Sequence, residues 1–222
     1  AYIVLADADL EAAANACVTS RLINTGQSCI AAKRFIVVES LLEEFEQQVV
    51  DRMRAATLGD PRDEKTQLGP MARTDLRADL HEQVQLSLER GARLLLGGEI
   101  PDGPGAFYPA TVLTDVRPGM PAHDEELFGP VAAIIPVRDQ AEALRVANDS
   151  DFGLGAAVFT RDLARGEQLA SEEIEAGFVV VNDFVRSDPR MPFGGIKLSG
   201  YGRELSHFGI REFVNIKSVS IK

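Results

Sequence analysis

Cysteine is scarce in this chain, with only Cys17 and Cys29 among 222 residues and no Cys-x-x-Cys pair. A disulfide framework is therefore not indicated, which suits a reducing compartment, and a cytoplasmic location is expected. The three histidines, His81, His123 and His207, lack any spacing that suits zinc, so no metal site is expected. Basic residues are in deficit: 23 Lys and Arg against 34 Asp and Glu leave a formal charge of -11. That balance argues against nucleic acid or an anionic membrane surface as the main partner. No apolar run is long enough to cross a bilayer, and the first residues lack the basic-then-apolar order of a signal peptide. Gly153-Leu154-Gly155 is too short for a dinucleotide fingerprint, and there is no phosphate loop. The chain does not begin with Met and enters a buried-strand pattern at Ala1-Tyr2-Ile3-Val4-Leu5, so a piece of a longer protein is expected.

What is present is ordinary for a globular protein, 45% hydrophobic and 26% charged residues, with enough length to bury a sizeable core. Asp7 or Asp9 can cap a helix over residues 10–22. Residues 34–38, Arg-Phe-Ile-Val-Val, read as a strand buried on both faces. From Ser40 a helix places Leu41, Phe45, Val49 and Met53 on one face, and Leu76, Leu80, Val84 and Leu88 stripe a second helix that Gly91 ends. Strands follow at residues 93–96, 110–113 and 131–135, with a Gly- and Pro-rich surface loop over 97–109. Asp139-x-x-Glu142 reads as a capping box for a helix to Asn148. Residues 156–160 and 177–181 read as further buried strands around a helix over 163–174. This alternation is that of an α/β fold with a mainly parallel sheet. The imperfect alternation from Phe213 to Ile221 suits an edge strand that pairs with another subunit.

In such sheets ligands gather beyond the carboxyl ends of the strands, and three loops are unusual in composition. In Asn24-Thr25-Gly26-Gln27-Ser28-Cys29 the thiol reads either as a nucleophile, once deprotonated from its ordinary pKa of about 8.5, or as a small packed hydrophobe. Gly26 permits close backbone approach to a ligand. Cys17, inside an Ala-rich helix, reads as packing. In the second loop, residues 124–130, a carboxylate and the ring of Phe128 suit a nucleotide, the one accepting ribose hydroxyls and the other offering an apolar face. In the third, from Asn182 to Gly200, Phe193 is a candidate pocket lining, with Arg186 and Ser187 as polar contacts. His81 and His207 read as surface residues. A cysteine hydrolase or acyltransferase stays open, because triad partners need not be near in sequence.

Together these loops resemble motifs of the aldehyde dehydrogenase superfamily over essentially the whole chain: Gly26-Gln27-Ser28-Cys29 its nucleophile motif, residues 125–131 its cofactor clamp, and Pro192-Phe193-Gly194-Gly195 with Lys197-x-Ser199-Gly200 its closing motif. Gly59-Asp60-Pro61, Leu68-Gly69-Pro70, Tyr108-Pro109 and Gly202-Arg203-Glu204 add to the likeness. The resemblance implies a three-layer α/β/α catalytic domain that oxidises an aldehyde to its carboxylate with NAD or NADP. It also implies Cys29 as the attacking atom, Glu126 on the cofactor ribose and Phe128 beside it. Within the superfamily the chain is most similar to bacterial succinate semialdehyde dehydrogenases. Ser187 then matches a serine near the substrate carboxylate. Ile23 stands where the better-known branch has arginine, leaving Arg21 and Arg186 as candidates to replace that charge.

The same likeness divides the chain into a catalytic domain, residues 1–200, and an oligomerisation tail, residues 201–222, of a dimer or tetramer. The cofactor-binding domain, an oxyanion-hole asparagine and the general-base glutamate would lie upstream of Ala1, so these residues alone are expected to be inactive. A non-catalytic assembly module is the third reading.

Overall fold

A segment such as Phe35-Ile36-Val37-Val38 has no polar side, so it needs cover on both faces. The computed structural model, which describes residues 1–222, supplies it. Strands β1 (Tyr2–Val4), β2 (Arg34–Val38), β3 (Arg93–Leu96), β4 (Thr111–Thr114), β5 (Val131–Val137), β6 (Phe152–Gly153), β7 (Gly155–Phe159), β8 (Phe178–Val181) and β9 (Ile196–Lys197) alternate with helices α1 (Leu10–Leu22), α2 (Leu42–Ala55), α3 (Thr74–Glu89), α4 (Pro121–Asp124), α5 (Gln140–Asn148), α6 (Leu163–Gln168) and α7 (Ser206–Glu212). Seven strands form one sheet in the order β3-β4-β5-β2-β1-β7-β8. Within it only β3 runs antiparallel to its neighbour.

The two-residue period of the strands sorts side chains between two cores. Tyr2, Val4, Phe35, Val37 and Phe159 face α1 and α2, packing with Ala13, Cys17, Phe45 and Val49. Ile3, Ile36, Ile135 and Val158 face the other way, onto Leu80 and Val84 of α3 and Ala143 and Val146 of α5. Helices thus cover both faces. The small residues of α1 let it lie close to the sheet, and Cys17 is fully buried there, its thiol pushed up by desolvation. Asp9 caps α1 by accepting from the amide of Ala12. Asp7 instead accepts from Thr160, Arg161 and Asp162, joining the loop after β1 to the loop after β7. The box expected at Asp139 forms by half: Asp139 Oδ1 accepts from the Glu142 amide, while the Glu142 carboxylate accepts from the amide of Arg138, one residue before the cap.

Several expectations change. The helix over residues 163–174 is α6 followed by a π turn, Leu169–Glu173. β8 is only half-buried because it ends the sheet with β7 as its single neighbour. Beyond Glu212 the single chain has no regular structure, and Phe213, Ile216 and Ile221 are 89–90% exposed; the strand expected there is one that forms against another subunit. His81 is half-buried rather than on the surface, its Nδ1 3.2 Å from the Tyr108 hydroxyl.

The carboxyl-end rule predicts the loops of interest beyond the carboxyl ends of the strands, and the topology places two of them at the opposite edge. α1 returns the chain from the carboxyl end of β1 to the amino end of β2, so the Cys29 loop lies at the amino edge, as does the loop before β5. The carboxyl-end rule, which describes loops that follow strands, does not locate this site.

Candidate active site

Three successive residues after α1, Asn24, Thr25 and Gly26, adopt left-handed φ values of 50°, 57° and 74°. For Asn24 and Thr25 this is strained, and neighbouring groups hold it. Asn24 Nδ2 donates to the Gln27 carbonyl at 3.0 Å, Gln27 Oε1 accepts from the Ala72 amide at 2.8 Å, and Thr25 Oγ1 lies 3.5 Å from the Gly69 carbonyl. The last contact brings Leu68-Gly69-Pro70 against this turn. The turn presents Cys29 to solvent, which overturns the packed reading for this thiol while leaving it true of Cys17.

Behind Cys29 lies a buried network that no sequence signal announced. Ser20 of α1 accepts from the Ala32 amide at 3.0 Å and donates to the Ile30 carbonyl at 3.3 Å. The Tyr2 hydroxyl is 3.0 Å from Ser20 Oγ and accepts from the Val185 amide at 2.8 Å. With Ser20 donating to Ile30, Tyr2 must donate to Ser20. Burial, against these hydrogen bonds, pushes the Tyr2 phenol up to about 12. The Cys29 loop is thereby tied to the third loop.

Its connection to the second loop is closer still. An added Cβ on Gly26 would lie 2.1 Å from the Gly129 carbonyl oxygen, so this glycine admits the backbone of a neighbouring loop rather than a ligand. Arg21, 1% exposed, donates to the Gly26 carbonyl at 2.8 Å and lies 3.5 Å from the Val131 carbonyl. Burial lowers its pKa to about 10; it is still a cation at neutral pH. Its donors serve the main chain and its Nε is buried without a partner, so it braces the loop and is not free to grip a substrate carboxylate.

Cys29, Glu126 and Phe128 share one cleft of about 300 Å³, with Arg21 and Lys33 in its wall. Leu127 points inward at 1% exposure while Glu126 and Phe128 point outward, Phe128 being 40% exposed. Glu125 accepts from Gln83 at 2.8 Å, whereas the Glu126 carboxylate has no protein partner among the hydrogen bonds. A free carboxylate beside an exposed ring has the donor-acceptor and apolar character needed for the sugar end of a dinucleotide. No glycine-rich cradle for its pyrophosphate accompanies them.

Of the other candidates, Phe193 does not line this cleft: it is buried at 7% and packs on Phe178 with centroids 6.1 Å apart, while its backbone pairs with that of Glu204. The expectation of a pocket-lining ring at Phe193 fails because its neighbours draw it into the core instead. Arg186 pairs with Asp183 at 2.6 Å and stacks on Phe184, and Ser187 is exposed on the same loop outside the cleft. None of the histidines lines the cleft: His81 bonds Tyr108, His123 is buried against Asp124 at 2.6 Å, and His207 stacks on Phe208. The general base that a Cys-His hydrolase needs is therefore not beside Cys29.

Lys33 donates to the carbonyl of His123 at 3.0 Å and to that of Glu125. Desolvation, aided by Arg34 and Arg21 and opposed by Asp124 and Glu125, lowers its pKa to about 7. An unfolded chain holds that proton to a pKa of about 10.4. Between those values the unfolded state binds the extra proton, so stability gains from this group as pH rises. The urea midpoint of wild type relative to Lys33→Met is expected to increase from about pH 7 to about pH 9; a pH-independent difference would contradict the assignment.

A model described as the aldehyde dehydrogenase family matches residues 1–219. The chain is 54% identical over 218 residues to the succinate semialdehyde dehydrogenase (NAD(P)+) of Escherichia coli K12, covering 98% of this chain and 47% of that protein. It thus spans about half the length of the curated relatives it matches. Among solved structures, a succinic semialdehyde dehydrogenase from Streptococcus pyogenes in complex with NADP+ superposes with a TM-score of 0.95 at 40% identity, over 99% of this chain and 48% of that one. A betaine aldehyde dehydrogenase from Staphylococcus aureus in complex with NAD+ gives 0.91 at 34% identity, over 96% and 43%.

Proposed function

This chain belongs to the aldehyde dehydrogenase family, and we propose on that premise that it is the nucleophile-bearing part of an NAD(P)-dependent enzyme that oxidises succinate semialdehyde to succinate. One observation carries the reading: an exposed Cys29 thiol shares a cleft with the free carboxylate of Glu126 and the exposed ring of Phe128. The Cys29 thiolate adds to the aldehyde carbon and holds it as a thiohemiacetal, then, after loss of hydride, as a thioester that water cleaves to return the thiol. NAD(P)+, when bound, supplies the hydride acceptor. Glu126 accepts hydrogen bonds from ribose hydroxyls, and Phe128 gives that end of the cofactor an apolar support.

The substrate is argued from relatives named for succinate semialdehyde. Arg186 and Ser187, which lie outside the cleft on the loop that Val185 ties to Tyr2 in its wall, are proposed to meet the distal carboxylate where it projects beyond the cleft. Arg21, already committed to main-chain carbonyls, is left out of that role. Residues 1–200 are proposed as the catalytic unit, inactive without a cofactor-binding half. The uncovered apolar side chains of residues 201–222 support assembly with further copies of the chain into a dimer or tetramer.

Glu126→Gln tests the cofactor role. In the full-length enzyme it is expected to raise the cofactor KM about tenfold, since a charged hydrogen-bond acceptor becomes a neutral one, with little change in KM for the aldehyde. An unchanged cofactor KM would remove Glu126 from the nucleotide site.

A further inference from the structure

The segment carrying Glu126 and Phe128 has no regular structure between α4 and β5, yet it must hold both groups at fixed positions to grip a nucleotide. Gln83 of α3 reaches it from one side, donating to Glu125 Oε2 at 2.8 Å and to the Glu126 carbonyl at 3.2 Å. From the other side comes Lys33, four residues after Cys29. Its ammonium donates to the carbonyls of His123 and Glu125, at the carboxyl end of the short helix α4. Cations satisfy unpaired carbonyls well at such positions. His123 is itself anchored, buried at 4% and paired with Asp124. Arg21, Arg34, Asp124 and Glu125 are the charged groups around the ammonium.

We propose that Lys33 is a positioning residue, its ammonium locking the Glu126–Phe128 segment against the nucleophile loop so that those two groups are held ready for the nucleotide. The proposal rests on the nucleotide reading of Glu126 and Phe128. Lys33 acts through them rather than on the reacting carbon, so its loss belongs in cofactor affinity and not in the reactivity of Cys29.

The test uses the full-length protein as wild type, Lys33→Met and Lys33→Arg at about pH 6, where Lys33 carries its proton. NADH and NADPH are titrated by fluorescence, amide exchange is followed over residues 121–130, and Cys29 is alkylated with iodoacetamide without nucleotide. Lys33→Met is expected to weaken dinucleotide binding about tenfold, the loss of a charged hydrogen-bond donor, and to speed exchange in that segment. Lys33→Arg, which keeps the cation, is expected to restore both to within about threefold. Alkylation should stay within about twofold in both variants, because Ser20, Tyr2 and Arg21 hold the nucleophile loop independently. Wild-type affinity in Lys33→Met, or equal loss in both variants, would overturn the proposal, as would a collapse of Cys29 alkylation. If wild type binds neither dinucleotide, the nucleotide reading fails; the exchange data then decide the tether alone, and faster exchange confined to Lys33→Met sustains it.

Discussion

Replacing Cys29 with alanine in the full-length enzyme is expected to lower kcat for aldehyde oxidation by at least about 10⁴-fold, the scale of loss when a catalytic nucleophile is removed, while dinucleotide binding persists. No neighbour can substitute. Ser28 precedes it in the same cleft, but a hydroxyl needs a base to become a nucleophile; no histidine lines the cleft, and the amine of Lys33 is engaged by the His123 and Glu125 carbonyls. The only other thiol, Cys17, is fully buried in α1, where desolvation disfavours its thiolate. Loss of turnover with cofactor binding intact would separate the attacking atom from the groups that hold the nucleotide. Retained turnover would place the nucleophile elsewhere.

Gly26→Ala is expected to have the largest structural effect. The residue has φ +74°, and a Cβ there would sit 2.1 Å from the Gly129 oxygen, 2.3 Å from its carbonyl carbon and 2.8 Å from Pro130 N. These are backbone atoms of the second loop and cannot rotate away. The left-handed conformation alone costs a non-glycine residue about 1–2 kcal/mol; relieving the collision by parting the loops adds to this, for a total of about 3 kcal/mol or more. Separating the loops by even an ångström also spreads Cys29 from Glu126 and Phe128, for which a drop of about 10² in kcat/KM is expected. Gly103→Ala is the control: it also has a positive φ, of +107°, but nothing lies within 4 Å of the added atom. Urea unfolding and steady-state kinetics of both variants decide the matter. Equal losses would mean that conformation, not the contact between loops, sets the cost.

Much of the fold could be read from local pattern. Residues 10–22 and 34–38 match α1 and β2 end to end, because a capping aspartate marks one and a run without a polar face marks the other. Strand order was not legible, since β2 lies between β1 and β5, and a run buried on both faces carries no mark of which strand it pairs with. The edge on which Cys29 sits is not legible either: it depends on where α1 delivers the chain. The loops of Cys29 and Phe128 stand out because thiol, acidic and Phe-Gly-Pro segments are unusual in composition, and the family resemblance is what picks Glu126 from its acidic run and Cys29 as the attacking atom. Ser20, Tyr2 and Lys33 do not, because each works by bonding main-chain groups, and these have no sequence signature; Arg21 is legible as a candidate cation for a substrate carboxylate, but the carbonyls of Gly26 and Val131 that hold it are not. Phe193 shows the converse: its motif is distinctive, yet the side chain is spent on packing.

The central claim is that Cys29 carries the substrate carbon through a nucleotide-dependent oxidation. Full-length enzyme mixed with succinate semialdehyde, acid-quenched within the first turnover and mapped by peptide mass spectrometry, tests it most directly. The account predicts a succinyl thioester on the peptide containing Cys29, formed only when NAD+ or NADP+ is present. An acyl group on another residue, or one on Cys29 that forms from an ester without any nucleotide while the aldehyde with nucleotide gives none, would contradict it.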